Sequence, residues 1–387
     1  MSRGVDADRA KTSFPTVGVV GGGQLARMMA GPAIELGVTL RVLARDPKDS
    51  AAQVVPGTAI GAEDDLDALR SFAADCDVLT FDHEHVPTQH LRTLQAEGVT
   101  VRPGPDALEH AQDKLVMRRR LTALGIPCPR WAPVADAEQL AKFGADVGWP
   151  VVLKTPRGGY DGKGVRLVET AQDADGWLTQ GSVLLAEERV DFSRELAVLV
   201  ARSPHGQAAV WPVVETVQVD GVCREVLAPA AIAEEHALAA QQAALRIADG
   251  LGVTGVLAVE MFDTASDVLV NELAMRPHNS GHWTIEGSRT SQFEQHLRAI
   301  LDLPLGETAM SSPQVVMANV LGGELPDMYP GYLHCFAHDP GIRIHMYGKE
   351  VRPGRKVGHV TALGSDAGEV RERAKHAAAF LRGDIDG

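Results

Sequence analysis

Short apolar runs that alternate with helical patterns predict an open parallel α/β unit in the first hundred residues. An apolar run at 17–20 is followed by three glycines at 21–23 and then by QLARMM, which indicates a strand, a glycine turn and a helix. A second strand is predicted at 38–43, a helix at 66–73 and a further strand at 77–81. Strands in such a unit bind ligands at their carboxyl ends, so the glycine turn is a candidate binding loop.

The pattern changes to short β segments in the second half of the chain. One long helix is predicted at 106–124, and the glycine and prolines that follow it mark a boundary. From residue 151 onward strands dominate, interrupted by an amphipathic helix at 233–250. VLAVEMFDT and VLVNELAM then indicate a β-hairpin, followed by a helix at 291–301 and by a β-rich tail that ends in a helix at 369–381.

Composition and charge narrow the class of protein. The 387 residues suffice for two or three domains, and 45% hydrophobic with 23% charged residues is typical of a globular chain. Lys and Arg number 37 against 51 Asp and Glu, and the resulting net charge of −14 argues against nucleic acid and anionic membranes as partners. Four scattered cysteines predict neither a zinc site nor disulfides. With no signal-peptide pattern and no apolar run of membrane-spanning length, we expect a cytoplasmic protein.

A glycine-rich segment, KTPRGGYDGKG at 154–164, lies between two predicted strands. Its four glycines and three cationic residues suit a mobile lid whose backbone amides wrap around phosphates. The glycine and lysine spacing differs from that of a Walker loop. A plain flexible hairpin turn is the alternative, but the density of glycine, lysine and arginine favours anion binding.

Two glutamates, Glu260 and Glu272, are each six residues from Ser266 in the predicted hairpin turn. They are therefore expected to be cross-strand neighbours on one face. Two close carboxylates among apolar residues repel each other unless a cation lies between them, and Mg²⁺ held jointly with substrate phosphates fits best. Two solvent-facing glutamates are the alternative. Asn271 would face the opposite side of a regular strand, so a role for it requires a bulge.

Hydrogen-bond donors follow the hairpin directly, in RPHNSGHW at 276–283. Such a loop fits recognition of a phosphorylated or polyhydroxyl substrate. His278 and His282 are four residues apart, but the Asn-Ser-Gly between them indicates a loop rather than a zinc-binding helix. Near the end of the chain, KEVRPGRK at 349–356 holds four cations, for which a solvated turn and a phosphate clamp both fit.

Three other patterns are weaker. Glu187 and Glu188 end an apolar run and Glu195 follows a turn, so this strand end could bind adenine and ribose, although solvated charges are the default. The first glycine turn, together with Asp46 after the second strand, loosely matches a dinucleotide fingerprint. The three arginines at 118–120 are interpreted as a solvent-facing side of a helix.

Six segments, taken in order, resemble the 5-(carboxyamino)imidazole ribonucleotide synthases, a family of ATP-grasp enzymes of purine biosynthesis that includes the ATPase subunit of phosphoribosylaminoimidazole carboxylase. The segments are GGGQLARMM, KTPRGGYDGKG, AEERVDFSRE, GVLAVEMF, VNELAMRPHNSGHWTIEGSRTSQFEQHLRAI and KEVRPGRKVGHV. The resemblance spans about residues 17–363.

The resemblance implies a multidomain α/β and α+β fold. After a disordered tail at 1–16 come an open parallel α/β pre-ATP-grasp domain at 17–113, an ATP-grasp domain at 114–302 and a small C-terminal β-rich domain at 303–387.

The resemblance also assigns roles to residues. ATP would be bound by Lys114, Lys154, Gly159, Tyr160, Asp161, Gly162, Lys163, Gly164, Glu187, Glu188, Arg189, Val190, Glu195, Asn271 and Glu272. The ribonucleotide would be bound by Gly22, Gln24, Leu25, Tyr160, Arg276, His278, Asn279, Ser280, Lys349, Arg355 and Lys356. Glu260 and Glu272 would carry Mg²⁺, and the catalytic residues would be Asp161, Lys163, Arg276 and Lys356. Many ATP-grasp enzymes have an asparagine two residues after the second metal glutamate, where this chain has Ala274.

The reaction implied by the resemblance joins bicarbonate to the amine of 5-aminoimidazole ribonucleotide, using ATP and Mg²⁺. ADP and phosphate would leave, and carboxyphosphate would be the intermediate. The lid would close over this unstable species, and Asp161 would orient the amine or accept its proton. The glycine turn would then bind the phosphate of the ribonucleotide instead of a dinucleotide. The resemblance also implies a homodimer.

Three other functions fit parts of the sequence. Another ATP-grasp carboxylate–amine ligase, such as a formate-using glycinamide ribonucleotide transformylase or a biotin-carboxylase-like enzyme, would share the lid and the carboxylate hairpin. A catalytically idle nucleotide-binding or scaffold protein would keep the fold alone. A dehydrogenase would use the first glycine turn.

Overall fold

A parallel sheet forms the first part of the chain, as predicted. The structure is a computed structural model that describes residues 14–158, 164–178 and 183–385. Its first elements are β1 (Thr16–Val20), α1 (Gln24–Glu35), β2 (Thr39–Ala44), β3 (Gly57–Ile60), α2 (Leu66–Ala73), β4 (Val78–Phe81), α3 (Thr88–Ala96) and α4 (Pro105–Gln112). The four strands pair in parallel in the order β3-β2-β1-β4. Of the tail predicted at 1–16, residues 1–13 lie outside the described residues, and β1 begins at Thr16.

The single helix predicted at 106–124 is wrong, because the chain breaks at Asp113. This residue has extended backbone angles, with φ −131° and ψ 109°, and it separates α4 from α5 (Lys114–Ala123). Its carboxylate accepts hydrogen bonds from the amides of Leu115 and Val116 at 3.0 and 3.1 Å. An aspartate in this conformation caps a new helix start, so hydrophobic periodicity alone could not show the break.

A small antiparallel sheet follows. It contains β5 (Trp131–Val134), β6 (Val151–Lys154), β7 (Val165–Val168) and β8 (Leu184–Glu188), in the order β5-β8-β6-β7, with α6 (Ala137–Val147) packed against it. Lys154 pairs with Val165, so β6 and β7 are joined by a loop whose described residues are 155–158 and 164. Gly164, in this loop, has φ +74°, a conformation that glycine adopts without strain.

A large antiparallel sheet carries the centre of the molecule. Its central elements are β9 (Arg194–Arg202), β10 (Ala208–Val210), β11 (Val214–Val219), β12 (Val222–Ala228), α7 (Glu234–Gly250), β13 (Gly255–Asp263), β14 (Val268–Ala274), α8 (Thr284–Gly287) and α9 (Gln292–Ile300). The predicted helices at 233–250 and 291–301 and the predicted hairpin are confirmed. The strand order β14-β13-β9-β11-β12 places the hairpin at one edge.

The C-terminal part continues this sheet. It contributes β15 (Gln314–Leu321), α10 (Gly331–His338), β16 (Arg343–Met346), β17 (Lys356–Gly364) and α11 (Ala367–Arg382). β15 pairs with β12, and β17 and β16 extend the sheet beyond it. The sheet therefore runs across the expected boundary at residue 302, and the division into three domains stays a prediction. The β-rich prediction for this tail missed helix α10.

Apolar side chains from different parts of the chain share the same cores. Phe293, Leu297 and Ile300 of α9 pack with the apolar residues of α1, β1 and β2. Because α9 is amphipathic and buries one whole face, it fixes the first sheet against the central one. None of the four cysteines forms a disulfide in the structure. Within the described residues, no helix combines the length and the apolar character needed to cross a membrane.

Candidate active site

One deep cleft lies between the three sheets. It has a volume of about 1380 Å³. Lining residues that the sequence analysis singled out are Lys114, Lys154, Glu187, Glu188, Arg189, Val190, Glu195, Glu260, Asn271, Glu272, Arg276, His278, Asn279, Ser280 and Lys356. Residues from sequence positions more than two hundred apart therefore meet at one place.

The two glutamates of the hairpin face each other across β13 and β14. Glu260 pairs directly with Glu272, which confirms the predicted cross-strand neighbours. Burial, followed by the charges of Glu272 and Glu195, raises the pKa of Glu260 to about 7. Two facing carboxylates suit a hard divalent cation, whose positive charge would add to that of Lys114 beside Glu272.

A β-bulge turns Asn271 toward the same cleft. The register shifts between Glu260 and Met261, which pairs with Val270, so Asn271 is the extra residue of the hairpin. Its side-chain oxygen accepts a hydrogen bond from Lys154 at 3.0 Å. The bulge that a role for Asn271 requires is therefore present.

Two lysines bring positive charge to the carboxylates. Lys114 is the first residue of α5, and its Nζ lies 2.5 Å from Glu272 Oε1. Lys154 ends β6, and its Nζ lies 2.7 Å from Glu187 Oε2. Each ammonium group is mostly buried, at 12% exposure, so its attraction for an anion is weakly screened by water.

Arg118 is buried, so its interpretation as a solvent-facing residue is wrong. It donates to the carboxylate of Glu187, and its Nη2 also donates to the backbone oxygen of Asn271 at 2.7 Å. Burial alone would raise the pKa of Glu187, but the charges of Arg118 and Lys154 hold it below its usual value. Arg118 lies three residues from both Leu115 and Leu121, which are buried. This helical spacing could have predicted that Arg118 is buried as well.

The carboxylate of Glu187 therefore interacts with side chains of the protein itself. One of its oxygens binds Arg118, which in turn holds the backbone of Asn271 in the bulge, and the other binds Lys154. Glu188 is tied in turn to Arg130, at 2.7 Å. The strand end at 188–190 and the half-buried Glu195 remain on the cleft surface, and burial raises the pKa of Glu195.

The donor loop after the hairpin is held by its own polar contacts. Arg276 Nε donates to Glu84 at 2.7 Å, and His278 Nε2 lies 3.5 Å from Glu260 Oε1. Burial, and then the charges of Arg276 and Lys356, lower the pKa of His278 to about 3, so its imidazole is neutral. The side chain of Gln292 bonds both the amide and the carbonyl of His278 at 2.8 Å. The loop thus presents its donors from a fixed backbone.

Asn279 and Ser280 are fixed in the same way. The amide side chains of Asn279 and Asn319 exchange hydrogen bonds of 2.9 and 2.8 Å. Ser280 Oγ lies 2.8 Å from His278 Nδ1. Asn319 comes from β15, so the C-terminal part supports the donor loop, and nothing in the local sequence around residue 279 indicates this partner.

The first glycine turn lies beside the cleft and not in its lining. A Cβ on Gly21 would come within 2.9 Å of the ring of His83, a lining residue, so turn and cleft are adjacent. The side chain of Leu25 is buried in the core, which leaves only its backbone for a ligand. Gln24 accepts a hydrogen bond from Lys349, which brings one end of the basic segment at 349–356 to this turn.

The other basic residues of the segment at 349–356 differ in their surroundings. Lys356 lines the cleft, whereas Arg355 donates to the backbone oxygen of Glu350 at 3.3 Å and is exposed. Arg352 pairs with Glu350 in solvent. Of the predicted lid residues, Gly159, Tyr160, Asp161, Gly162 and Lys163 lie outside the described residues.

Three family patterns match the chain in sequence. The ribonucleotide synthetase preATP-grasp domain matches residues 14–112, the ATP-grasp domain matches 119–293, and the phosphoribosylaminoimidazole carboxylase C-terminal domain matches 315–373. These matches agree with the order of the parallel sheet, the two antiparallel sheets and the C-terminal strands.

Relatives cover nearly the whole chain. N5-carboxyaminoimidazole ribonucleotide synthase of Mycobacterium bovis is 57% identical over 383 residues, which cover 96% of this chain and 89% of the relative. The N5-carboxyaminoimidazole ribonucleotide synthetase of Thermus thermophilus has a TM-score of 0.85 at 39% identity and covers 96% of this chain and 99% of its own.

A third relative was solved with its ligands. The N5-carboxyaminoimidazole synthase of Aspergillus clavatus in complex with ADP and 5-aminoimidazole ribonucleotide has a TM-score of 0.87 at 34% identity and covers 96% of this chain and 99% of its own. Since sequence and fold agree over nearly the full length, the chain belongs to the family of ATP-grasp N5-carboxyaminoimidazole ribonucleotide synthases.

Proposed function

We propose that this chain carboxylates the amine of 5-aminoimidazole ribonucleotide with bicarbonate at the expense of ATP, as a step of purine biosynthesis. The observation that carries the proposal is the shared cleft. It joins a lysine-rich end, a carboxylate pair and a donor loop in one volume, so phosphoryl transfer and attack by an amine can follow each other without release of the intermediate.

ATP binds at the end formed by β6, β8 and α5. Lys114 and Lys154 attract its phosphates, and the strand end at 188–190 with Glu195 holds adenine and ribose. The hairpin loop between β6 and β7, with Gly159, Tyr160, Asp161, Gly162, Lys163 and Gly164, forms the lid. Its closure excludes water from the intermediate.

Glu260 and Glu272 hold Mg²⁺ together with the phosphates of ATP. Their oxygen donors, their direct pairing and the raised pKa of Glu260 fit a hard cation. The metal ion supplies charge stabilisation during transfer of the γ-phosphoryl group. Ala274 stands two residues after Glu272, so these two carboxylates and Asn271 are the protein donors available.

Bicarbonate attacks the γ-phosphorus and gives carboxyphosphate and ADP. The amine of the ribonucleotide then takes the carboxyl group, from carboxyphosphate or from the carbon dioxide that it releases, and phosphate leaves. Arg276, Lys163 and Lys356 stabilise the negative charge that develops, and Asp161 orients the amine or accepts its proton.

The ribonucleotide lies between the donor loop and the first glycine turn. Arg276, His278, Asn279, Ser280 and Lys356 contact it from the cleft. Its phosphate binds at the start of α1, where the first helical amides have no intrahelical partner, through Gly22, Gln24 and Leu25. Lys349 and Arg355 add positive charge to this end.

The proposal also covers the cellular location and the oligomeric state of the chain. The chain works in the cytoplasm, which the lack of a disulfide among its four cysteines supports. It acts as a homodimer, which light scattering at micromolar concentration will test.

The decisive experiment measures ADP formation and the carbon of the product together. Purified protein receives magnesium-ATP and ¹³C-bicarbonate, with and without 5-aminoimidazole ribonucleotide. We expect ADP formation to depend on the ribonucleotide and the product to carry ¹³C. Glu272→Gln should lower kcat by about 100- to 1000-fold. Glu138→Gln, on the exposed face of α6, should leave it unchanged. ADP formation at the same rate without the ribonucleotide, or an unlabelled product, would refute the assignment.

A further inference from the structure

Three histidines lie together on the C-terminal part, away from the cleft. His334 and His338 are four residues apart on α10, and His376 faces them from α11. The candidate ligand atoms all lie within 4.8 Å of one another, and the Nε2 atoms of His334 and His376 are 3.0 Å apart. Residues four apart share a helix face, so α10 offers two imidazoles to the same point.

The spacing fits a tetrahedral zinc ion. Zn–N bonds of about 2.0–2.1 Å place two ligand nitrogens about 3.3–3.4 Å apart. Small side-chain rotations bring the three imidazoles to that distance, and the stack of His334 on Phe380, at 3.7 Å between ring centroids, already fixes one ring plane. Imidazole nitrogens are ligands that suit zinc and not magnesium or calcium.

Neighbouring polar groups are engaged elsewhere. Asp339 pairs with Arg373 at 2.8 Å, and the buried thiol of Cys335 faces the backbone oxygen of Ala377. Among the described residues, no carboxylate or thiol joins the cluster. The site therefore has three nitrogen ligands and an open fourth position for water.

Packing does not account for the cluster. The only buried residue of α10 is Cys335, and His338 is exposed. A hydrogen bond between His334 and His376, together with the stacking of the His338 ring on both of them, gathers the three imidazoles at one point.

We propose that His334, His338 and His376 bind one zinc ion that joins α10 to α11. The ion lies apart from the cleft, whose carboxylates belong to other elements, and a water molecule completes its coordination. It compensates for the weak packing of α10 by linking two helices whose ligands are 38 residues or more apart in sequence, which constrains the unfolded chain as well.

The test measures zinc bound to the untagged full chain. After treatment with a chelator, the protein is dialysed against micromolar Zn²⁺ and bound metal is counted by mass spectrometry. We expect one zinc per chain and a higher melting temperature with zinc than without. His338→Ala and His376→Ala should each weaken binding by more than the ~10- to 100-fold typical of losing an outer-shell partner. The Co²⁺-loaded protein should show the intense visible bands of tetrahedral cobalt.

Matched variants separate this site from other zinc-binding groups. His205→Ala removes an exposed histidine, and Glu272→Gln removes a cleft carboxylate. Both should keep the zinc and the cobalt spectrum. The proposal is overturned if wild-type protein holds no zinc at micromolar concentration, if His338→Ala and His376→Ala bind zinc as wild type does, or if only Cu²⁺ or Ni²⁺ binds.

Discussion

At the scale of single residues, His296 has its proton position fixed by its neighbours. The amide of Val256 donates to Nδ1 at 3.0 Å, so Nε2 carries the hydrogen and donates to Thr80 Oγ1 at 2.7 Å. Burial lowers the pKa of His296 to about 3. The neutral ring links β13 to β4, and protonation would place a hydrogen on Nδ1 against the amide of Val256.

Stability should therefore fall as the pH drops below about 6.5. The unfolded imidazole takes up a proton near that pH, while the folded one stays neutral until about pH 3, so the unfolded state binds more protons in between. For His296 alone, the free energy of unfolding should be ~1.4 kcal/mol lower at pH 5.5 than at pH 8.

Denaturant unfolding at several pH values checks this expectation. His296→Gln should be less stable than wild type at pH 8 but lose less stability on acidification, while the buried His282 and His359 keep part of the slope. His205→Gln, whose parent side chain is 84% exposed, should keep the full slope. Equal slopes for wild type and His296→Gln would contradict the assignment.

Removing Arg118 should destabilise the protein strongly. Glu187 would keep only Lys154 as a partner for a buried charge, and breaking a buried ion pair in this way costs about 3–5 kcal/mol. Arg118→Ala is compared by chemical denaturation with Arg119→Ala, which changes an exposed neighbour and should stay within about 0.5 kcal/mol of wild type. Similar losses in both variants would show that Arg118 does not support Glu187.

Residue chemistry was partly predictable from the sequence. The pairing of Glu260 with Glu272 was predicted from their equal spacing about Ser266, and it holds because the bulge at Asn271 shifts the register of the hairpin by one residue. Burial of Arg118 depends on Glu187, sixty-nine residues later, and the support of Asn279 depends on Asn319. Such partners are set by tertiary structure and leave no trace in the neighbouring sequence.

At the scale of elements, Asp113 joins the start of α5 to the segment that follows β6. One carboxylate oxygen caps the helix, and the other accepts from Arg157 at 2.9 Å. The amide of Lys114 also donates to the backbone oxygen of Pro156 at 2.9 Å. The position of the Lys114 ammonium group thus depends on a helix cap.

Substitution of Asp113 can separate the two contacts. Asp113→Ala should lower the free energy of unfolding by about 1 kcal/mol and raise KM for ATP, because the cap and the ion pair are both lost. Asp113→Asn keeps a good capping side chain and should stay within about 0.5 kcal/mol of wild type. Steady-state kinetics and denaturation measure both effects, and an unchanged KM in Asp113→Ala would separate the cap from ATP binding.

Periodicity predicted most elements but missed β3, α3, β5, α6 and α10. Helix α9 and the parallel strands β1, β2 and β4 follow from local patterns, and their predicted spans are confirmed within two residues. The break at Asp113 arises from competition between a side chain and the helix backbone. The pairing of β15 with β12 joins strands 86 or more residues apart, and a sequence pattern carries no register over that distance.

At the scale of the whole molecule, the continuous sheet predicts that the C-terminal part cannot be removed. A chain ending at residue 302 would leave β12 with an unpaired edge, and Glu225 would lose Arg371, now at 2.6 Å. We expect this shortened chain to aggregate and to show no ADP formation.

Supplying residues 303–387 as a separate chain during expression should restore soluble protein, because the missing strands can then pair with β12. Size-exclusion chromatography and the ADP assay follow both outcomes. A monodisperse, ATP-binding 1–302 chain would show that the sheet is not needed as one unit.

The contacts of the segment at 347–349 also set an order of events during synthesis. The backbone oxygens of Tyr347 and Gly348 accept from Ser50 at 2.5 Å and from Gln53 at 2.7 Å, and Lys349 bonds Gln24. The glycine turn emerges first from the ribosome, yet its surroundings stay incomplete until residue 349 has been added. A nascent chain consequently carries Lys114 and Lys154 well before the surroundings of the glycine turn are complete, and translation that stops before residue 347 leaves the turn without these contacts.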